Sequence, residues 1–196
     1  MNMYWIKKQK IGGFSLIELL VVISIIGLFS SIILPQLKNA RNKASISKSK
    51  ADMDQLSKSI SLMSFDTEVW PNGCVFGVVY GPSEGGNNEI TLDNAQAGLL
   101  TRPTVGVTDA ADNCAWTVSE VNAWNGPYIK SAFIDAWNHP YWFDQDYHPL
   151  RDCPSANANP SAPTIAAIVS EGPDGIPIHT ATTDVYNCDD VYYEIK

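Results

Sequence analysis

Basic residues are scarce over most of this 196-residue sequence. Residues 66–196 contain 18 acidic and only four basic side chains, a formal charge of −14 in a chain whose total is −8. Since phosphate affinity comes from clustered Lys and Arg, this deficit argues against a nucleic-acid-binding domain. Basic residues collect instead at 7–10 and at 36–64, where six bases outnumber two acids. The acidic part permits binding of cations or of a basic segment from another subunit, although solubility explains the charge equally well.

Recognisable catalytic motifs are also absent. The sequence has no G-x-S-x-G, H-E-x-x-H or Gly-rich phosphate loop. Its three histidines, His139, His148 and His179, are scattered. Asp144 and Asp146 alternate on a predicted strand, and a solvated strand face is a better interpretation of them than a catalytic carboxylate pair. We therefore do not predict an enzyme.

Cysteine occurs only four times, always beyond residue 70, and never as the C-x-x-C pair of a zinc site. An even number in a loop-rich, exported domain predicts two disulfides. Three pairings are possible. We prefer Cys74–Cys114 with Cys153–Cys188, because the second pair flanks one late strand region.

Proline and glycine are missing from residues 36–64, and of twelve prolines only Pro35 precedes residue 70. Residues 14–34 form an apolar run broken only by Glu18 and small polar residues. As a helix this run would span roughly 31 Å, the thickness of a bilayer core. It is too long for an ordinary signal peptide, and its small-residue pair, Gly12-Gly13, precedes the run instead of following it.

The orientation of this predicted span depends on two opposing signals. Lys7, Lys8 and Lys10 favour a cytoplasmic N-terminus, whereas the basic residues between 38 and 43 oppose it. Cysteines that pair require an oxidising compartment. We therefore predict a single-pass protein of the inner, or cytoplasmic, membrane with its C-terminal part outside.

A helical period continues after the apolar run. Apolar residues recur at steps of three and four: Leu37, Ala40, Ala44, Met53, Leu56, Ile60 and Met63. The pattern predicts one helix over roughly 15–64, kinked at Pro35 and amphipathic in its second half. Beyond Phe65 we predict short strands at 74–80, 141–143, 164–170 and 191–195. A short helix is predicted at 92–100 or at 118–124, the latter capped by Ser119.

The segment Gly12-Gly13-Phe14-Ser15-Leu16-Ile17-Glu18 and the apolar residues after it resemble the class III signal of type IV prepilins and type II secretion pseudopilins. The resemblance implies an α+β type IV pilin fold, a long helix packed on a small antiparallel sheet. It also implies cleavage after Gly13 by a prepilin peptidase, N-methylation of Phe14, and an assembly platform with minor pilins as partners. The expected parts are a leader (1–13), a membrane-spanning polymerisation helix (14–35), an amphipathic helix (36–65) and a head (66–196).

Glu18 has a physical reason to take part in assembly. A carboxylate inside a membrane-spanning helix costs about 2.5–3.5 kcal/mol on insertion scales, so it usually has a partner or a function. Cleavage would leave an α-amino group on Phe14, cationic near neutrality, and methylation keeps that charge. We expect Glu18 to pair with the Phe14 amine of a neighbouring subunit.

The C-terminal half resembles the head of the major type II secretion pseudopilin through three motifs. They are Trp124-Asn-Gly-Pro-Tyr128, Asp135-Ala-Trp137-Asn-His139-Pro-Tyr141 and Ser170-Glu-Gly-Pro-Asp174-Gly175. In that family an Asp of the last loop and acids before the final strand hold calcium. The resemblance therefore implies a Ca²⁺ site at Asp174, Asp189 and Asp190, against the simpler interpretation that these acids solvate a turn.

The aromatic residues of these motifs also have an interpretation without any family. We expect Trp124, Tyr128, Trp137, Tyr141 and Trp142 to form a core beside the helix rather than a carbohydrate-binding platform.

The combined prediction is a structural subunit of a type IV pilus or a type II secretion pseudopilus, which polymerises with copies of itself. The alternatives are a minor tip pilin acting as an adhesin and a membrane-anchored extracytoplasmic enzyme. Glu18 and the Gly-Gly cleavage site argue against the enzyme.

Overall fold

The computed structural model describes residues 13–77, 89–109, 114–149, 163–176, 179–180, 183–184 and 189–196. The chain divides into two compact units, Met1–Lys43 and Ala44–Lys196. Helix α1, Leu16–Thr67, contains 52 residues and continues through Pro35. It begins and ends within three residues of the limits that the helical period predicts.

Within the second unit, one face of α1 is buried. Its buried side chains recur at helical spacing: Ser49, Met53, Leu56, Ile60, Met63, Ser64 and Thr67. The predicted contact residues Met53, Leu56, Ile60 and Met63 are completely buried. Because residues three and four apart share one helix face, this spacing produces a continuous stripe against which the rest of the unit packs.

The main sheet has four antiparallel strands in the order β1-β4-β5-β8. Their bounds are Ile90–Thr91 for β1, Trp142–Tyr147 for β4, Ile165–Ser170 for β5 and Val191–Glu194 for β8. The last two agree closely with the predicted strands. A long helix packed on a small antiparallel sheet confirms the predicted α+β fold.

Two smaller hairpins and two short helices complete the described structure. Strand β2 (Gly106–Asp109) pairs with β3 (Cys114–Trp116), and β6 (His179–Thr180) pairs with β7 (Thr183–Asp184). Helix α2 is Val118–Ala123, and a 3₁₀ turn forms at Ala95–Ala97. Both short-helix predictions are thus met in part.

Two local predictions were wrong. The residues after Cys74 form turns with one isolated bridge, Val69 to Val75, rather than a strand, and 78–80 lie outside the described residues. The cap of α2 is Thr117, not Ser119. Thr117 and Glu120 form a capping box in which each side chain accepts the other's backbone N–H, which satisfies two otherwise unpaired donors.

The two faces of the main sheet are buried differently. Tyr141, Phe143 and Ile168 join the core that contains the helix stripe. Trp142 instead packs in a second cluster with Tyr147, Ala167, Val169 and Ile165. Successive residues of a strand point to opposite faces, so Trp142 cannot share the face of Tyr141 and Phe143. The expectation of one aromatic core beside the helix was therefore wrong for Trp142.

Hydrogen bonds also join the helix to the head within the second unit. Three helix aspartates each accept a hydrogen bond from a tyrosine hydroxyl: Asp52 from Tyr141 (3.2 Å), Asp54 from Tyr193 (3.2 Å) and Asp66 from Tyr128 (2.7 Å). These bonds fix the rotation of the helix about its axis, since a rotation by one residue, about 100°, would separate all three pairs.

Candidate functional site: the N-terminal helix and the acidic loops

The N-terminal part of α1 presents a continuous apolar surface. Phe14 is 91% exposed, and the large apolar side chains from Leu16 to Leu34 are all at least 48% exposed in the single chain. Among the described residues, this is the one helix long and apolar enough to cross a membrane by length and composition. A soluble monomer does not keep so large an apolar surface in water, so lipid or other subunits must cover it.

Glu18 forms a capping box with Ser15 at the start of the helix. The Ser15 backbone N–H donates to Glu18 Oε2 at 2.8 Å, and the Glu18 N–H donates to Ser15 Oγ at 3.2 Å. The sequence signal was present as S-x-x-E directly before an apolar run, but the prediction considered only an intermolecular partner. A carboxylate has about four acceptor positions, so capping leaves capacity for an amine.

Asp135 joins two of the motif loops of the head. Its Oδ1 accepts the backbone N–H groups of Trp137 (2.9 Å) and His139 (2.8 Å), and its Oδ2 accepts the Ser170 hydroxyl (2.5 Å). Asp135 is 5% exposed. One carboxylate thus shapes its own turn and ties that turn to the end of β5.

The third motif loop lies directly against the residues before β8. Gly172 and Gly175 have φ values of +66° and +64°, which glycine adopts without strain. A Cβ on Gly172 would lie 2.3 Å from the Asp189 carbonyl oxygen, and one on Gly175 would lie 2.5 Å from the His139 ring. Both glycines are therefore required for these close approaches.

The predicted calcium residues lie near this contact. The Asp174 N–H donates to Asp189 Oδ2 at 3.3 Å, and Asp174 Oδ1 accepts the N–H of Ile176 at 3.0 Å. Burial raises the pKa of Asp189, and the negative charge of Asp174 raises it further. The neighbouring Asp190 interacts with the Tyr147 hydroxyl and contributes to the raised pKa of Tyr147, which is due mainly to burial.

A different acidic cluster was missed by sequence reasoning. Within the described part of the chain, one group of three potential metal ligands has its oxygens within 4.8 Å of one another: Glu89, Asp144 and Asp146. Asp144 is completely buried, so the predicted solvated strand face was wrong. Burial raises the pKa of Asp144 well above its usual value, and the charges of Asp146 and Glu89 add to this effect.

The aromatic turn at 124–128 is built around a glycine. The Trp124 and Tyr128 rings meet edge to face with centroids 5.9 Å apart. A Cβ on Gly126 would lie 2.6 Å from the first ring and 2.8 Å from the second. Trp124 Nε1 donates to the Gly98 carbonyl at 2.7 Å. The Trp124 and Tyr128 rings therefore pack within the head.

A disulfide joins Cys74 to Cys114, in agreement with the preferred pairing. It connects the turn after α1 to strand β3 and closes 40 residues of chain. Cys153 and Cys188 lie outside the described residues, so the second bridge remains a prediction.

Comparison with known proteins supports the same picture. Residues 8–34 match the prokaryotic N-terminal methylation motif. The chain is 26% identical over 137 residues to the type II secretion system core protein G of Vibrio cholerae, which covers 70% of this chain and 73% of that protein. The proteins of the same name from Aeromonas hydrophila and Pseudomonas aeruginosa are 24% and 21% identical, covering 69% and 70% of this chain and 73% and 75% of theirs. No solved structure gives a significant match.

An exposed apolar helix whose start carries a methylation motif, and whose second half packs against an antiparallel sheet, is the arrangement of a pilin-type subunit. The chain carries the prepilin methylation motif and is similar over about 70% of its length to the core protein G of type II secretion systems. The names of the similar proteins describe core components of a secretion system, and none describes an enzyme.

Proposed function

We propose that this protein is a structural subunit of a type II secretion pseudopilus and polymerises through its N-terminal helix. The observation that carries this function is the methylation motif at residues 8–34, which covers the start of a helix whose apolar side chains are exposed in the single chain. Similarity to the core protein G sequences favours a secretion pseudopilus over a surface pilus.

Processing precedes assembly in this proposal. A prepilin peptidase cuts between Gly13 and Phe14 and methylates the new amine. The precursor lies in the cytoplasmic membrane with its head outside, and a platform with minor pilins adds it to the filament. Gly13 and Phe14 are exposed in the structure, and Phe14 precedes the first helical turn, which supports access of a peptidase to this peptide bond.

Inside the filament, Glu18 would bind the Phe14 amine of an adjacent subunit. Both groups are at the start of the apolar helix, where the medium is poor in water. Moving a carboxylate and an amine into this medium is costly unless they pair. Pairing would therefore select the axial register at which neighbouring helices fit.

Calcium would stabilise the head at Asp174, Asp189 and Asp190. Support comes from the contact of Asp174 with Asp189 and from the close approach of the Gly172 turn to the Asp189 carbonyl. Two carboxylates and a backbone carbonyl are oxygen donors of the kind that Ca²⁺ prefers. Asp174→Asn should then reduce calcium binding to the full-length protein by one ion.

Electron microscopy tests the filament function. Cells that produce the tagged protein should form filaments that carry the tag along their whole length and contain methylated Phe14 at the subunit N-terminus. Deletion of the gene should block export of a type II substrate, and the intact gene should restore it. A tag found only at filament tips would contradict a major structural subunit, and normal export in the deletion strain would contradict the secretion role.

A further inference from the structure

We propose that Glu89, Asp144 and Asp146 form a second calcium site, on the face of the main sheet that is opposite to α1. The site is separate from the contact of Asp174 with Asp189 and uses none of its carboxylates. It does not depend on filament assembly, because all three residues belong to the head.

Strand register brings the first two carboxylates together. Ile90 pairs with Phe143 in the antiparallel pair β1-β4. Extending this register by one residue places Glu89 beside Asp144. Residues directly opposite each other in an antiparallel pair lie on the same face with their Cβ atoms about 5 Å apart. Side chains of this length can therefore share one ion.

A bulge in β4 brings the third carboxylate. Asp144 pairs with Ala167, but Tyr147 pairs with Ile165, so β4 has one more residue than β5 over this stretch. Bulges of this kind redirect a side chain. The Asp146 N–H donates to Asp144 Oδ1 at 2.8 Å, which fixes the local turn and keeps the two carboxylates together.

The spacing of the oxygens suits one ion. One oxygen from each residue lies within 4.8 Å of the oxygens of the other two. Ca²⁺ binds oxygen at about 2.3–2.6 Å, so two of its ligands can be at most about 5 Å apart. All three carboxylates meet this limit without any movement of the backbone.

The buried member of the cluster has an unsatisfied acceptor. Asp144 is 0% exposed, and its Oδ2 accepts no hydrogen bond from the residues that the structure describes. Buried carboxylate oxygens normally have a hydrogen-bond donor or a cation, because desolvation without a partner is costly. Two further carboxylates beside it increase the cost of its negative charge. A divalent cation would satisfy the open oxygen and offset the charge of all three groups.

The chemistry of the donors selects the class of ion. All three side chains offer hard oxygen ligands, and no His or Cys takes part, so Ca²⁺ and Mg²⁺ are favoured over Zn²⁺ or Cu²⁺. If the three carboxylates bind bidentately, they supply up to six oxygens and replace most of the water around the ion. Ca²⁺ tolerates this, whereas Mg²⁺ keeps several waters and needs near-octahedral geometry.

Calcium binding to the purified full-length protein in detergent tests the site. Equilibrium dialysis with radioactive calcium would count the ions bound per chain, and thermal unfolding would be followed with calcium and with chelator. The variants are Asp146→Asn and Glu89→Gln, which keep side-chain size and remove one charge. Asp93→Asn is the matched control, since it removes an exposed acid three residues beyond Ile90. Asp174→Asn separately tests the proposed calcium site at Asp174, Asp189 and Asp190.

We expect Asp146→Asn and Glu89→Gln each to lose one bound calcium, or to bind it roughly tenfold or more weakly, while Asp93→Asn binds as the wild type does. A calcium-dependent rise in melting temperature should persist in Asp174→Asn. Equal calcium binding in Asp146→Asn and the wild type would overturn the site. The site would also be overturned if the wild type bound no calcium and Asp144→Asn melted at a higher temperature than the wild type in chelator. Asp144 would then be a buried, protonated acid.

Discussion

Glu18 has an observed role in the single chain and a proposed role in a filament. In the single chain it caps its own helix together with Ser15. In a filament it is the acid expected to receive the Phe14 amine of a neighbour. The two roles differ in what they need: a cap requires only an acceptor oxygen, whereas an ion pair requires the negative charge.

This difference allows a clean test with two variants. Glu18→Gln keeps a capping-box acceptor but removes the charge, so it should be exported normally and fail to form filaments. Ser15→Ala keeps the charge and removes the cap hydroxyl, at a cost of about 1 kcal/mol to the helix start, so its filaments should persist. Filament yield by electron microscopy and membrane content by immunoblot are the measurements. If Glu18→Gln assembles as well as the wild type, the charge has no role in assembly.

We expect the tyrosine–aspartate pairs between helix and head to make the protein less stable in alkali. Burial raises the pKa of Tyr128 to about 12, and the bond to the Asp66 carboxylate opposes ionisation further. Burial raises the pKa of Tyr141 as well. An unfolded tyrosine ionises near pH 10. Since the unfolded state then loses its proton first, stability should fall as the pH rises from about 10 to 12.

Denaturant melts at pH 8, 10 and 11 would measure this loss. Tyr128→Phe has no hydroxyl to ionise, so its stability should fall less steeply with pH. Its free energy of unfolding at pH 8 should be lower than that of the wild type, because the bond to Asp66 is missing. Phe133→Leu, at a side chain that is partly buried against the same core, is a control for altered packing without a change in titration. Parallel pH profiles for Tyr128→Phe and the wild type would show that Tyr128 does not contribute.

At the level of elements, the turn at 135–140 and the end of β5 depend on one carboxylate. Asp135→Ala would leave two backbone N–H groups and the Ser170 hydroxyl without their acceptor. An unsatisfied buried group costs about 1–3 kcal/mol. We expect the free energy of unfolding to fall by about 2–4 kcal/mol, measured by urea denaturation.

The same experiment on Asp93→Ala provides the reference, because Asp93 is exposed and should change stability by less than about 0.5 kcal/mol. Asp135→Asn should lie between the two, since the amide oxygen can still accept the N–H bonds. Equal stability of Asp135→Ala and the wild type would mean that the turn at 135–140 and the end of β5 keep their positions without the Asp135 carboxylate.

At the level of the whole molecule, positive and negative charges are segregated into different segments of the chain. Residues 1–13 contain Lys7, Lys8 and Lys10 and no acid, residues 36–64 carry +4, and residues 66–196 carry −14. Positive charge at the N-terminus favours its retention in the cytoplasm. An acidic head and a basic segment in each copy provide opposite charges for contacts between subunits.

Cleavage after Gly13 removes three lysines and changes the formal net charge from −8 to −11. Mass spectrometry of filaments should therefore find Phe14, with one added methyl group, at the N-terminus, and isoelectric focusing should show an acidic shift relative to the precursor. Gly13→Ala tests the cleavage site with little change in the size of the residue. A bulkier residue at position 13 should block processing. Intact Met1 in assembled filaments would contradict the proposed cleavage.

Local sequence patterns were enough to locate α1 and two strands. The helical period over residues 36–64 predicted both the length of α1 and the stripe of Met53, Leu56, Ile60 and Met63, because these depend only on the 3.6-residue repeat. Strands β5 and β8 were also located from short apolar runs. The pairing of Cys74 with Cys114 was one of three possibilities that the sequence allowed, and the fold selects it by placing the turn after α1 beside β3.

The amino-acid sequence by itself determined the methylation motif, the apolar helix, its amphipathic continuation and the charge of each segment, since all are properties of residues close together along the chain. The tertiary structure alone decided that Asp144 is buried and Trp142 partly buried on the face of the sheet away from the helix, and that Glu89 joins Asp144 and Asp146. Alternation along a strand shows which residues share a face, but burial of that face depends on segments distant in sequence. The acidic cluster likewise depends on strand pairing and on a bulge, which no local pattern specifies.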